Sequence, residues 1–161
     1  MIDCGEGTQL QLRHYKLSFA RLNHIFISHL HGDHCFGLIG LISTLALLGR
    51  TGDITIHAHR DMEDLLRPQL DYFCRDIAFK VIIRPFDPAK SEIIYEDRSI
   101  IVKTIPLQHR IPCAGFLFLE KPKEAHQNPE MIKFYNIPIK ELRKIKQGAD
   151  FVTEDGAIIE N

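Results

Sequence analysis

The sequence predicts an α/β fold built in layers. Two observations carry that expectation. Stretches rich in β-branched and aromatic residues alternate along the chain with stretches of helical apolar spacing, the order that lays helices against a sheet. One of those strands, His24-Ile25-Phe26-Ile27-Ser28, runs into a polar turn and out again into the apolar run from Gly37 to Leu48. That is a strand–turn–helix unit with its reactive side chains at the turn.

Taken in order, residues 1–4 read as the end of a strand, followed by the glycine-rich turn Gly5-Glu6-Gly7. Residues 8–16 read as a helix and 22–28 as a buried strand. The run 37–48 is a buried helix, with Gly49 placed to cap its C-terminus. Residues 53–59 form a strand, and 60–72 a helix interrupted by Pro68. Residues 78–83 are a strand. Residues 92–95 and 99–105 pair as a hairpin around Glu96-Asp97-Arg98. Pro106 stops that ladder, and 114–119 is a further strand. Near the C-terminus, 136–148 is a short helix.

Composition sets outer limits. The chain has 161 residues, of which 45% are hydrophobic, enough for a core. The net charge is −1, so any nucleic-acid contact must come from a local patch. The opening Met1-Ile2-Asp3 carries no secretory pattern. The run 37–48 is too short for a membrane span and contains Ser43 and Thr44. Cys4, Cys35, Cys74 and Cys113 are scattered without a CxxC pair. They read as reduced thiols, which predicts a cytoplasmic protein.

The chemistry is concentrated in His29-Leu30-His31-Gly32-Asp33-His34. His29 and His31 flank one residue, so an extended backbone points both the same way. Gly32 lets the chain turn sharply before Asp33 and His34. Two ligand sets are thus offered to two adjacent ions. Imidazole and carboxylate donors without thiolate suit zinc in a catalytic rather than a structural site. Asp33 falls near the start of the following helix, where negative charge is favoured. The alternative is a histidine-rich surface loop. Ile56-His57-Ala58-His59 also places two histidines on one strand face, but no Asp-His pair follows, and the pair reads as sheet-packing or solvent-facing. His14, His24 and His126 have no partners nearby in sequence. Taken alone, His109 reads as a surface residue past a strand, and Asp3 as a turn or cap residue.

Two strings together are more specific than the metal motif alone. Asp3-Cys4-Gly5-Glu6-Gly7-Thr8-Gln9 and Ile27-Ser28-His29-Leu30-His31-Gly32-Asp33-His34-Cys35-Phe36-Gly37-Leu38 resemble the ribonuclease Z family of the metallo-β-lactamase superfamily. The resemblance runs through most of the chain and weakens after about Lys121. It implies a metallo-β-lactamase αββα sandwich with metals at one edge, here mainly its N-terminal half. It divides the chain into an incomplete metallo-β-lactamase-like domain, 1–119, and a tRNA-binding arm with its return segment, 120–161. It implies two zinc ions per subunit in the complete protein: His29, His31 and His109 on one, Asp33 and His34 on the other. Asp3 would orient the site from behind the ligands. The implied activity is endonucleolytic removal of 3′ trailers from precursor tRNA by a homodimeric enzyme. Asp33 would act catalytically as ligand and proton acceptor. In the arm, Lys140, Arg143, Lys144 and Lys146 outnumber Glu141, a patch suited to phosphates; the alternative is an ordinary solvated helix face.

The chain also departs from the family pattern. No Gly-Asp-Thr string supplies a bridging carboxylate, and no histidine follows His126. Met1 falls inside what should be the second or third strand. The chain is therefore expected to be an internal segment of a protein of about twice the length, and inactive and poorly soluble or associated by itself. Other expectations stay open. One is a different hydrolase of this fold, acting on small phosphodiesters or sulfate esters. A glyoxalase-type thioesterase fits less well beside the Asp3–Gln9 string. The third is an inactive half-domain that only binds tRNA or dimerises.

Overall fold

Three parallel strands, β1 (His24–Phe26), β2 (Ile54–His59) and β3 (Val81–Phe86), pair in that order in the computed structural model. The structure describes residues 1–122, 126–153 and 155–161. Ile2 adds one parallel bridge to Phe26. Parallel neighbours need crossovers, and helices supply them. After α1 (Thr8–His14), the short α2 (Gly32–Cys35) and α3 (Gly37–Leu47) connect β1 to β2, and α4 (Met62–Phe73) connects β2 to β3. Leu38, Leu41, Ile42 and Leu45 recur at the helical interval on α3. They bury against Ile25, Ile27, Ile54 and Ile56, together with Met62, Leu66 and Leu70 of α4. Gly49 has φ 75°, and its N–H donates to the Ala46 carbonyl, closing α3 as its position predicts.

The opposite face of this sheet carries aromatic rings. Phe26 stacks on His57 with centroids 4.5 Å apart, and lies 5.6 Å from Phe116 and 5.4 Å from Phe118. Those phenylalanines belong to a second sheet of β4 (Ile93–Glu96), β5 (Ile100–Leu107) and β6 (Cys113–Glu120), in that order. The first unit, Met1–Leu119, is therefore a helical layer, a parallel sheet and a second sheet. The outward residues Ile105, Leu107, Leu117 and Leu119 of β5 and β6 are exposed.

Several boundaries differ from expectation. The first strand is three residues, not seven. Pro68 does not interrupt α4, which runs through it with Leu66 and Leu70 buried on either side. The third strand starts at Val81, because Phe79 is buried in the core from the loop before it. Pro106 lies within β5; the β4 partners end at Lys103, so this stretch needs no donor on that side. The apolar face of α3 is covered rather than open, although Leu47 and Leu48 at its end are exposed.

The second unit, Glu120–Asn161, contains α5 (Pro129–Phe134), α6 (Ile139–Lys146) and the hairpin β7 (Phe151–Val152) with β8 (Ile158–Ile159). Asn128 caps α5 by accepting from Glu130 N–H, with Pro129 at the first helical position. Only α6 is anticipated by the sequence; a six-residue helix and two-residue strands are too short for periodicity to register. Among the described residues no helix is long and apolar enough to cross a membrane.

Candidate metal centre

The turn after residue 4 and the loop after β1 are built against each other, backbone on backbone. Cys4 N–H donates to the His34 carbonyl at 2.8 Å, and Gly37 N–H donates to the Cys4 carbonyl at 2.8 Å. A Cβ on Gly5 would run into the Asp33 carbonyl oxygen, and one on Gly37 into that of Gly5. The two glycines are therefore required by close approach, not by turn geometry. This crossing holds Asp3 behind the loop. Asp3 sits at φ 52°, uncommon outside glycine.

Its carboxylate collects donors. Oδ1 accepts from Ser28 N–H at 2.8 Å. Oδ2 accepts from Ser28 Oγ at 3.0 Å and from His34 Nδ1 at 2.8 Å. Ser28 Oγ in turn lies 3.0 Å from His29 Nδ1. With the hydroxyl proton given to Asp3, Ser28 accepts from His29, so both rings hold their protons on Nδ1 and present bare Nε2 atoms. These tautomers are assigned from the hydrogen-bond network. Burial first, then the neighbouring His34, His109 and His31, lowers the His29 pKa below its ordinary range, which keeps the ring neutral.

The structure brings His29, His31 and His109 together. One donor atom from each lies within 4.8 Å of the others. His29 Nε2 and His31 Nδ1 are 3.1 Å apart, close to the ~3.3 Å between two nitrogens on one tetrahedral zinc. His109 comes from the loop between β5 and β6, which is tied to the site where Ala114 N–H donates to the Ser28 carbonyl at 3.0 Å. Its ring centroid is 4.7 Å from that of His29 and 5.0 Å from that of His31. Three imidazoles from two loops fit a zinc ion with an open fourth position. Asp33 Oδ2 and His34 Nε2 lie 3.4 Å apart beside them, with Asp33 in the first turn of α2. They form a second, two-donor set.

Two residues here carry no signal of their own in the sequence. Ser28 is marked only by standing directly before the motif. Arg110 reaches His31 Nε2 with its guanidinium at 3.2 Å, and its backbone N–H points at His109 Nδ1 at 2.6 Å. His57 and His59 stay outside the cluster. His57 is buried with its Nε2 3.2 Å from His24 Nδ1, and His59 faces Asp61. The basic residues singled out near the C-terminus lie on α6, exposed, with Lys144 paired to Glu141 at 2.9 Å.

The helix–sheet–sheet layering, with imidazoles gathered on the loops at one end, defines a metallo-β-lactamase-fold protein. A protein of that fold from Bacillus subtilis superposes with a TM-score of 0.52 over 83% of this chain and 54% of its own, at 19% identity. The family described as Anti-Pycsar protein Apyc1 matches residues 1–114, and the chain belongs to it. The similarity to ribonuclease Z runs further, over the whole chain. "Ribonuclease Z" of Phocaeicola vulgatus is 62% identical over 161 residues, covering 100% of this chain and 52% of the relative. The human short form of tRNase Z superposes with a TM-score of 0.66 at 31% identity, over 74% of this chain and 53% of that structure. The chain thus spans about half the length of the curated relatives it matches.

Proposed function

We propose that this protein is a zinc-dependent endoribonuclease that removes 3′ trailers from precursor tRNA by hydrolysing one phosphodiester. The observation that carries the reading is the convergence of His29, His31 and His109 on one point, in a chain similar along its full length to ribonuclease Z. His29, His31 and His109 would hold one ion. Asp33 and His34 would hold a second, with further donors from the part of the relatives' length that this chain does not span. Bound there, zinc supplies Lewis-acid activation of water and neutralises phosphoryl charge.

The chain's own side chains do the remaining work. Asp3 and Ser28 fix the rings of His29 and His34, so that the metal-facing nitrogens are prepaid in orientation. Asp33, largely exposed at 76%, takes the proton from the attacking water. Arg110 stands beside His31, where its guanidinium can meet a phosphoryl oxygen. In the second unit, Lys140, Arg143, Lys144 and Lys146 would draw in the tRNA backbone. The exposed apolar ends of α3 and α4, Leu47, Leu48, Tyr72 and Phe73, support pairing of two copies. Four unpaired thiols fit a reducing cytoplasm.

Cleavage of a 3′-extended precursor tRNA by the complete protein, compared with hydrolysis of bis(p-nitrophenyl) phosphate, tests the reading. Trailer removal leaving a 3′-hydroxyl is expected. Turnover of the small diester without cleavage of the tRNA would assign the site to a different hydrolase of the fold.

A further inference from the structure

The metal-binding loop has an apolar neighbour that the chemistry above leaves unused. A cavity of about 340 Å³ opens beside His31. Gly32, Phe36, Met62, Leu65 and Leu66 line it. Phe36 is 66% exposed although it stands at the junction of α2 and α3. Its ring lies over Gly32, where any Cβ would collide with it. The loop thus gives up a side chain between His31 and Asp33, and an aromatic ring rests in the space. One ring face is backed by the loop, and much of the ring is open. Leu65, across the cavity on α4, is also half exposed.

We propose that this cavity is a nucleobase subsite in which Phe36 stacks one base next to the cleaved phosphate. The inference rests on the nuclease reading above and specifies how that site grips its substrate. A phosphodiester held at the histidine cluster carries a nucleoside on each side, and the cavity begins at one of the cluster's own residues. Apart from His31, Gln69 and the Cys35 thiol, its lining side chains are hydrocarbon, which suits the flat face of a base better than its polar edge. Stacking on an aromatic ring tolerates any base. The subsite would therefore fix the position of the bond that is cut without demanding a particular sequence.

The chain contains no tryptophan, so Phe36→Trp introduces a fluorescent reporter at the proposed stack. In the zinc-loaded protein carrying that substitution, adenosine 5′-monophosphate should quench the indole saturably, and ribose 5-phosphate should not. Phe36→Leu keeps an apolar side chain without a ring. In the complete protein it should lower kcat/KM on precursor tRNA about tenfold, the size of one lost base–aromatic stack. That loss should vanish when the nucleotides flanking the cleaved bond are abasic. Equal quenching by both phosphates would overturn the subsite. So would a Phe36→Leu defect that persists on abasic substrate, or one that appears as a change in sedimentation, which would assign the face to a second copy of the chain. If the complete protein, unsubstituted, leaves precursor tRNA uncut, the nuclease reading fails, and the fluorescence comparison still decides the base subsite.

Discussion

Asp3 accepts from Ser28 twice and from His34 once, so its removal should loosen two rings while leaving every proposed ligand in place. Asp3→Ala is expected to weaken zinc binding by about 10- to 100-fold, read by competition with a chromophoric chelator; unchanged affinity would reduce Asp3 to a turn residue. Asp33 differs, because in the proposed reaction it meets the attacking water. Asp33→Ala in the complete protein should abolish trailer cleavage while gel-shift binding of tRNA survives, and near-normal turnover would remove it from the mechanism. The histidines and Asp33 are legible in the sequence because their spacing is itself the geometry of a short loop. His109 is less so: a lone histidine 75 residues beyond His34 acquires a role only when β6 returns to Ser28. Ser28 and Arg110 are polar residues of ordinary type, and only tertiary contacts mark them.

Among the elements, the crossing of the residue 3–7 turn with the loop after β1 explains why two separated strings identify the family together. Each is shaped by the backbone of the other. Gly37→Ala should therefore act on both, shifting the turn and lowering stability by about 2 kcal/mol or more, as overpacking against rigid backbone does. Chemical denaturation measures this, and a neutral result would mean that the crossing can part. Pro68 makes the opposite case. It occupies the interior of α4 on an exposed surface and cannot donate to the helix. Pro68→Ala should raise the melting temperature, because a helix-interior proline costs up to about 3 kcal/mol relative to alanine; a lower melting temperature would show that the ring packs usefully. The α3 helix is plain in the sequence because its apolar interval is long and ends in Gly49. The start of β3 is not, since Ala78 and Phe79 look like strand residues, yet Phe79 enters the core from a loop. Apolar character records burial there, not conformation.

Across the whole molecule, the layer between the two sheets makes stability depend on acid. His57 is 2% exposed and stacked on Phe26. Burial, then His24 and Arg84, lowers its pKa from 6.5 to about 4. The unfolded chain takes a proton below its ordinary value, and the folded one refuses it until about 4. The stability this neutral ring contributes is therefore complete above pH 6.5. It drains as pH falls toward 4, by up to about 3 kcal/mol at 1.36 kcal/mol per unit. Urea unfolding between pH 7 and 5 should show that slope, and His57→Phe should flatten it; parallel slopes would place the acid sensitivity elsewhere. The layered fold itself was foreseeable from alternating strands and helices. The contact of buried His57 with His24 was not, because the two are 33 residues apart. The most direct test of the metal assignment is X-ray absorption at the zinc edge on the purified protein and on its His109→Ala variant. The expected spectrum has imidazole nitrogens at about 2.0–2.1 Å from zinc, and the variant loses one of them. Sulfur ligation, or a spectrum that His109→Ala leaves unchanged, would contradict the assignment of His29, His31 and His109 to one ion.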